Sequence, residues 1–356
     1  MEWKFNGYIK LTMPIFYGIQ GTGNGHITRG RIMARELQSA NFEVTYQVTG
    51  RPQDKFFDMQ IFNGHQWREG LTFRTKNGKI NHLKTVLQSK PLNFLRDIKQ
   101  LDLSDYDLVI CDFEPVTAWA ARQQNKKTIG ISHQYAFQHK IPRAGNDRLS
   151  ETVMKNFAPV DIGIGLHWHH FDQLILPPVI ETPLAPQQTN KNKIVVYLPF
   201  EDQRRVIAFL APFKDFEFFN YAPEIIPSSH QHIHCKPLSL QGFQRDLSDC
   251  AGIICNAGFE LTSESLQLGK KILVKPVHAQ MEQVSNAVAL QTLGYGQMMH
   301  KIDSAMIEQW LYETKAMRVI YPNTAKHLVQ WIRDGMPPIT QSWCDQIWSE
   351  VKISVS

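Results

Sequence analysis

Residues 253–287 read IICNAGFELTSESLQLGKKILVKPVHAQMEQVSNA, and this stretch decides the fold. Two short apolar runs, Gly252–Cys255 and Ile272–Lys275, predict buried parallel strands, and a helical pattern follows each of them. Asn256-Ala-Gly258 stands where the first strand ends and a helix begins, so its N–H groups are suited to holding an anion. The order strand, turn, helix, strand, loop, helix is the repeating unit of an open α/β sheet.

The same alternation runs through nearly all of the 356 residues and is interrupted once, by a proline-rich polar stretch. Such a stretch is typical of a linker between domains. We therefore expect two Rossmann-like, doubly wound α/β domains that face each other across a cleft. The predicted boundaries are 1–178 for the first domain, 179–192 for the linker, 193–322 for the second domain, and 323–356 for helices that pack back on the first.

A glycine-rich loop follows the first predicted strand, Ile15–Ile19, and leads into a helix predicted at His26–Ala40. Gly23, Asn24 and Gly25 belong to this loop, and a helix that starts after such a loop favours negative charge at its N-terminus. The spacing is neither the dinucleotide fingerprint nor a P-loop. The alternative is a tight turn without a ligand.

Three titratable residues are predicted at the same sheet edge. His26 opens the first helix and has a side chain able to accept a proton near neutral pH. Asp112 and Glu114 follow the strand predicted at Leu108–Cys111, so either would orient His26, bind acceptor hydroxyls or act as the base. The alternatives are that His26 only orients its loop and that the two acidic residues only favour the start of the next helix.

Residues 253–287 resemble the donor-binding motif of GT-B fold glycosyltransferases of the family 1 and family 28 type. It is similar to plant and animal UDP-glycosyltransferases and to the lipid-linked N-acetylglucosaminyltransferase of peptidoglycan synthesis. The loop YGIQGTGNGH at 17–26 matches a group of bacterial and archaeal GT-B proteins with the opening Y-G-x-Q-G-T-G-N-G-H. The resemblance covers nearly the whole chain and implies a GT-B fold and sugar transfer.

By position in the motif, the resemblance implies a role for each donor-site residue. Gly258 and Phe259 approach the diphosphate, Glu264 holds the ribose hydroxyls, Glu282 and Gln283 contact the sugar, and Asn286 supports their loop. Leu240 or Phe243 flanks the base, although a core role is open for both. The expected donor-binding set is completed by Gly23, Asn24, Gly25, Asn256, Ala257, Glu260 and Gln280.

The expected reaction is an inverting, metal-independent transfer to an acceptor hydroxyl, most simply from a UDP-sugar, with His26, Asp112 or Glu114 as catalytic residues. We expect no cofactor, because the nucleotide sugar is a substrate, and no catalytic metal, because no D-x-D motif follows a strand. Two alternatives stay open: a UDP-sugar 2-epimerase, and a catalytically silent subunit that binds nucleotide sugars for polysaccharide assembly.

Composition limits the setting. The apolar content of 43% suits a packed globular protein, and five scattered cysteines favour a reducing compartment, so we expect a cytoplasmic protein. The resemblance implies a role in cell-envelope polysaccharide synthesis. The net charge of +5 is concentrated between residues 68 and 99, a basic region suited to anionic headgroups at the inner face of the membrane or to an anionic acceptor. A solvated helical face is the alternative, and no nucleic-acid motif is present.

Overall fold

A computed structural model describes residues 13–71, 75–76, 79–80, 91–144, 148–181, 188–278 and 280–355. Its first domain is a seven-stranded parallel sheet in the order β3-β2-β1-β6-β7-β8-β9. The strands are β1 (Ile15–Gln20), β2 (Val44–Thr49), β3 (Gln66–Arg68), β6 (Leu108–Asp112), β7 (Thr128–Ser132), β8 (Ile162–Leu166) and β9 (Ile175–Leu176), with a separate pair β4 (Thr75–Lys76) and β5 (Lys79–Ile80). The helices are α1 (Asn24–Ser39), α2 (Pro91–Gln100), α3 (Pro115–Gln123) and α4 (Arg148–Phe157).

The second domain is a six-stranded parallel sheet in the order β12-β11-β10-β13-β14-β15. Its strands are β10 (Asn190–Tyr197), β11 (Glu217–Ala222), β12 (Ile233–Pro237), β13 (Cys250–Cys255), β14 (Lys271–Val274) and β15 (Gln297–Met298). Its helices are α5 (Gln203–Leu210), α6 (Leu240–Asp249), α7 (Phe259–Gln267), α8 (Met281–Thr292) and α9 (Ser304–Glu313). The two α/β sheets confirm the predicted fold class.

The strands are parallel because their residues are apolar on both faces and helices cover each face. All six residues of β1 and all five of β6 are buried. One apolar cluster continues from the first sheet into the second, through residues such as Ile19, Trp168, Phe259 and Val274. The two domains therefore share part of their core.

The final segment crosses back onto the first domain. It contains the strand pair β16 (Met317–Ile320) and β17 (Lys352–Val355), and the helices α10 (Thr324–Arg333) and α11 (Gln341–Trp348). The side chain of Asn323 donates to Glu36 over 2.7 Å, Arg333 donates to the Ala40 carbonyl over 2.8 Å, and Trp348 Nε1 donates to the Ile175 carbonyl over 2.7 Å.

Several predicted boundaries differ from the structure. The predicted linker ends at 192, but β10 begins at Asn190, and Val179 and Ile180 are buried core residues. Residues 182–187 lie outside the described residues. The helix predicted at Leu83–Lys99 is described only as α2, because 81–90 are outside the described part. The antiparallel pair β16–β17 was not predicted, because each strand has only four residues.

Candidate active site

The glycine loop joins β1 to α1 at the carboxyl edge of the first sheet. Gly21 N–H donates to the Thr49 carbonyl over 2.7 Å, and Gly23 is the residue before α1. A Cβ at Gly25 would lie 2.7 Å from Glu260 Oε2, so a larger residue here would displace the Glu260 carboxylate. No heavy atom of the described chain outside Gly23 and its two neighbours would lie within 4 Å of a Cβ at Gly23, so this side of the loop borders open space.

His26 and Asp112 form a hydrogen-bonded pair at this edge. His26 Nδ1 lies 2.7 Å from Asp112 Oδ1, with 15% of the His26 side chain exposed and Asp112 fully buried. The pair forms because β6 is the neighbour of β1 in the sheet, with Ile19 opposite Asp112, and α1 returns over that edge. A carboxylate only accepts, so in the neutral imidazole the shared proton belongs to Nδ1 and Nε2 keeps its lone pair. The same Nδ1 lies 2.9 Å from Arg29 Nη2.

Arg29 joins this pair to the second domain. Its Nε and Nη2 donate to the two oxygens of Asp112 over 2.8 and 2.6 Å, and its Nη1 donates to Glu260 on α7. Burial would raise the pKa of Asp112, but the Arg29 and His26 charges and their hydrogen bonds outweigh it, so the pKa is lowered below its usual value. Asp112 therefore stays ionised, with both oxygens occupied and no access to a substrate.

Glu114 has a different surrounding from Asp112. Its carboxylate caps α3 by accepting from the N–H groups of Val116 and Thr117 over 2.8 and 2.7 Å. It also accepts from the Thr49 hydroxyl over 2.9 Å, and it is fully buried. Burial raises the pKa of Glu114, and no part of the carboxylate reaches the cleft. These contacts favour the capping alternative over a catalytic role.

The donor motif forms the strand, turn and helix that were predicted. Asn256, Ala257 and Gly258 connect β13 to α7, and no heavy atom of the described chain outside Gly258 and its two neighbours would lie within 4 Å of a Cβ at Gly258, so the helix N-terminus opens on free space. Asn256 donates to the Lys275 carbonyl over 2.8 Å, while its Oδ1 is buried and accepts no hydrogen bond within the described residues. A polar atom in that state is suited to receiving a ligand donor.

The ring of Phe259 packs at the junction of the two domains. It is 3% exposed and stacks on His133, with ring centroids 3.9 Å apart and planes 4° from parallel. Trp168 lies beside it at 5.1 Å and donates to the Ser263 hydroxyl over 2.8 Å. The Phe259 ring therefore holds α7 against the first domain, while its backbone lies at the N-terminus of α7, and an approach of this residue to the diphosphate stays a prediction.

The polar residues around α8 also make hydrogen bonds within the protein. Asn286 donates to the Ala257 carbonyl over 3.0 Å and its Oδ1 lies 2.7 Å from His133 Nε2, so it supports the donor loop. Gln283 is 7% exposed and accepts from the Val277 N–H over 2.9 Å. Glu282 accepts from Gln134 over 3.1 Å, which places it at the junction of the two domains, and Gln280 is the residue before the helix.

Glu264 lies one turn after Glu260 on α7, the helix that meets α1 at Gly25 and Arg29. Burial raises its pKa to about 7, and the charge of Glu181 adds to the effect. Within the described residues no hydrogen bond reaches its carboxylate. Two side chains predicted near the base also lie in this domain: Phe243 packs edge-on against Tyr197 and Tyr221 at 5.5 and 5.1 Å, and Leu240 begins α6.

The sequence interpretation missed Arg29, His133 and Gln134. Arg29 follows His26 by three residues, a spacing that places both on one face of a helix. His133 and Gln134 directly follow β7, the position relative to a strand that identified Asp112. The signal was therefore present for all three residues.

Comparison with known proteins assigns the chain to a family. The model described as "Glycosyl transferase family 1" matches residues 13–314. The chain belongs to this family. It is an enzyme, a glycosyltransferase, and no curated protein sequence matches it.

Solved structures share the fold at low sequence identity. The glycosyltransferase SnogD from Streptomyces nogalater has a TM-score of 0.54 at 14% identity, over 95% of this chain and 99% of that one. SsfS6 of Streptomyces sp. SF2575, complexed with thymidine diphosphate, has a TM-score of 0.55 at 12% identity, over 90% of this chain and 99% of that one. MurG of Acinetobacter baumannii has a TM-score of 0.51 at 13% identity, over 95% of this chain and 99% of that one. These neighbours show that the two domains form a GT-B fold.

Proposed function

We propose that this glycosyltransferase uses His26 as the base in an inverting, metal-independent transfer from a uridine diphosphate sugar. The observation that carries the proposal is the hydrogen bond between His26 Nδ1 and Asp112, which in the neutral imidazole leaves Nε2 as the proton acceptor. The acceptor hydroxyl gives its proton to Nε2, and its oxygen attacks the anomeric carbon. The bond from that carbon to the diphosphate oxygen breaks, and the nucleoside diphosphate leaves with the electron pair.

The leaving diphosphate is anionic and needs positive potential. The N-termini of α1 and α7 both open on free space at Gly23 and Gly258, and helix N-termini stabilise negative charge. The thymidine diphosphate bound to SsfS6 supports a nucleoside diphosphate as the common part of the donor. In this proposal Glu264 accepts hydrogen bonds from the ribose hydroxyls, and the polar side chains of Glu282 and Gln280 face the sugar.

The direct test is binding and turnover of a panel of UDP-, TDP- and GDP-sugars. We expect a UDP-sugar to raise the melting temperature most, and a chelator to leave donor hydrolysis unchanged. Turnover of UDP-N-acetylglucosamine to its 2-epimer without an acceptor would replace transfer by epimerisation. Binding without hydrolysis or transfer, unaffected by His26→Gln, would instead indicate a silent subunit.

Membrane contact is a second, separable part of the proposal. Helix α2 exposes Leu92 and Leu95, 79% and 50% exposed, beside the exposed Arg96 and Lys99. Apolar and basic side chains on one short helix suit an anionic bilayer surface. Arg74, Lys84 and Lys90 of the basic region lie outside the described residues. Within the described ranges, no helix combines the length and apolar character needed to cross a bilayer.

Cosedimentation with vesicles tests this part. We expect binding to vesicles that contain phosphatidylglycerol and weak binding to neutral ones, with a loss in a Leu92→Ser, Leu95→Ser double variant. Equal binding by the variant would remove Leu92 and Leu95 from the contact, and no binding of the wild type to anionic vesicles would leave the basic region as a solvated surface.

A further inference from the structure

Arg51 occupies an unusual position beside the glycine loop. It follows β2 after Gly50, whose φ of +113° is a conformation that favours glycine. A Cβ at Gly50 would lie 2.8 Å from the Thr22 nitrogen, so this turn is packed directly against the backbone of the loop. The Arg51 backbone is therefore fixed at the carboxyl edge of the first sheet, where a substrate of this fold binds.

Two nitrogens of the Arg51 guanidinium, Nε and Nη2, are shielded from solvent and donate no hydrogen bond to any described residue. The group lies over the rings of Phe56 and Phe57, at 4.8 and 5.9 Å. Ring faces attract a cation, but they do not replace the hydrogen bonds that water made to its N–H groups.

The neighbouring arginines show how different this is. Arg29 donates to Asp112 and Glu260, and Arg31 donates to the carbonyls of Asp58 and Phe57 over 3.0 and 2.6 Å. Buried polar groups are nearly always hydrogen-bonded, so the two shielded nitrogens of Arg51 are suited to a ligand that supplies acceptor oxygens.

The opposite side of this position belongs to the second domain. Burial raises the pKa of Tyr197, the last residue of β10, and the nearby positive charge of Arg51 opposes that effect. The carbonyl of Tyr197 accepts from the Asn256 N–H over 3.3 Å, so Arg51 lies near the strand end that leads into the donor loop. Asn24 Oδ1 and Asn256 Oδ1, one from each domain, are also buried without partners in the described chain.

We propose that Arg51 binds a phosphate-type oxyanion of a substrate, between the glycine loop and the Tyr197 end of β10. The inference rests on the proposed function and extends it, because none of the expected donor-binding residues is a cation and Arg51 belongs to the other domain. A guanidinium suits this ligand since it offers parallel N–H donors to two oxygens. Arg31 also lies over the Phe57 ring, at 5.5 Å, and its charge adds to the positive potential. Two sources have this chemistry: the donor diphosphate and a phosphate carried by the acceptor.

Titration calorimetry on the full chain tests the proposal with Arg51→Gln, Arg51→Lys and a matched control. The control is Arg122→Gln, an exposed arginine that also lies over an aromatic ring, 5.3 Å from Trp119. The probes are inorganic pyrophosphate, uridine diphosphate and thymidine diphosphate. We expect Arg51→Gln to weaken pyrophosphate and the better nucleotide about 10- to 100-fold, Arg51→Lys to weaken them less, and Arg122→Gln to bind as wild type.

A second measurement separates binding from a structural role. Because Nε and Nη2 lack acceptors within the described chain, Arg51→Gln should melt without ligand at the wild-type temperature or above it, while losing the rise that pyrophosphate causes. A lower melting temperature with unchanged pyrophosphate affinity would overturn the proposal and leave Arg51 as a packing residue on Phe56.

The outcomes also distinguish the two sources. Loss of nucleoside diphosphate affinity identifies the donor. Unchanged nucleotide affinity, with loss of inorganic phosphate binding to the nucleotide-saturated protein, identifies the acceptor. The inference is overturned if Arg51→Gln changes neither nucleotide affinity nor phosphate binding, or if Arg122→Gln loses as much affinity as Arg51→Gln. If wild type binds pyrophosphate through Arg51 but binds no nucleotide, the proposed function fails and the anion site stands.

Discussion

The carboxyl edges of the two sheets face each other, but they differ in how their polar groups are used. At the first edge, His26, Asp112 and Arg29 satisfy one another and extend to Glu260. At the second edge, Gly258 opens on free space, Asn256 Oδ1 has no partner in the described chain, and the Glu264 pKa is raised to about 7. The first edge is preorganised for proton transfer, whereas the second carries groups that a ligand would satisfy.

The largest effect is expected at His26. His26→Gln should lower kcat for transfer, or for donor hydrolysis, about 1000-fold, because it removes the base without changing the ion pair of Asp112 with Arg29. The affinity for the nucleoside diphosphate should not change. The control is His234→Gln, whose Nε2 also contacts a carboxylate, Glu217, at 2.5 Å on an exposed edge strand. A kcat equal to that of the control would remove His26 from the chemistry.

Asp112→Asn should affect both activity and folding. It leaves the buried Arg29 guanidinium without its main counter-charge, which should cost about 3 kcal/mol of unfolding free energy. It also fails to hold the Nδ1–H form of His26, so kcat should fall about 100-fold or more. Urea denaturation and donor hydrolysis measure the two effects, and Asp105→Asn, at an exposed aspartate nearby, is the control. Full stability would contradict the buried ion pair.

Glu264 gives a pH-dependent prediction. Its folded-state pKa of about 7 exceeds the ordinary 4.5, so the folded protein binds more protons than the unfolded chain between these values. Stability should therefore fall as pH rises from about 4.5 to 7 and stay low above that range. Removing the charge by Glu264→Gln should add about 1–2 kcal/mol at pH 8 and nothing near pH 4.5.

The same variant should weaken nucleotide binding about 10-fold, because an amide accepts fewer hydrogen bonds from a ribose diol. Exposed Glu313→Gln is the control for both measurements. A flat difference in stability between pH 4.5 and 8 would show that the Glu264 carboxylate is not desolvated, and an unchanged nucleotide affinity would remove it from the donor site.

The smallest effect separates Glu114 from Asp112. Glu114→Gln keeps part of the cap on α3, so the unfolding free energy should fall by about 1 kcal/mol. Its kcat should stay within threefold of wild type, since the carboxylate does not reach the cleft. A loss of kcat as large as that of Asp112→Asn would return Glu114 to the catalytic residues.

The sequence predicted both sheets because their strands are apolar on both faces, a pattern that needs no tertiary information. It also placed His26 and Asp112 at one edge, since the carboxyl ends of parallel strands meet there. It left the choice of base between His26 and Asp112 open, because the hydrogen bonds from Arg29 to both Asp112 oxygens could not be read from the sequence. Nor did it predict that Phe259 stacks on His133, a residue 126 positions earlier. Contacts between domains, unlike strands, have no local pattern.

The return of residues 323–355 onto the first domain has a consequence for folding during synthesis. Glu36, the Ala40 carbonyl and the Ile175 carbonyl receive their hydrogen bonds from Asn323, Arg333 and Trp348. A ribosome makes the first sheet long before it makes these donors, although domains otherwise fold as they emerge. The half of the enzyme that is translated first therefore acquires its last contacts only after the second domain has been made.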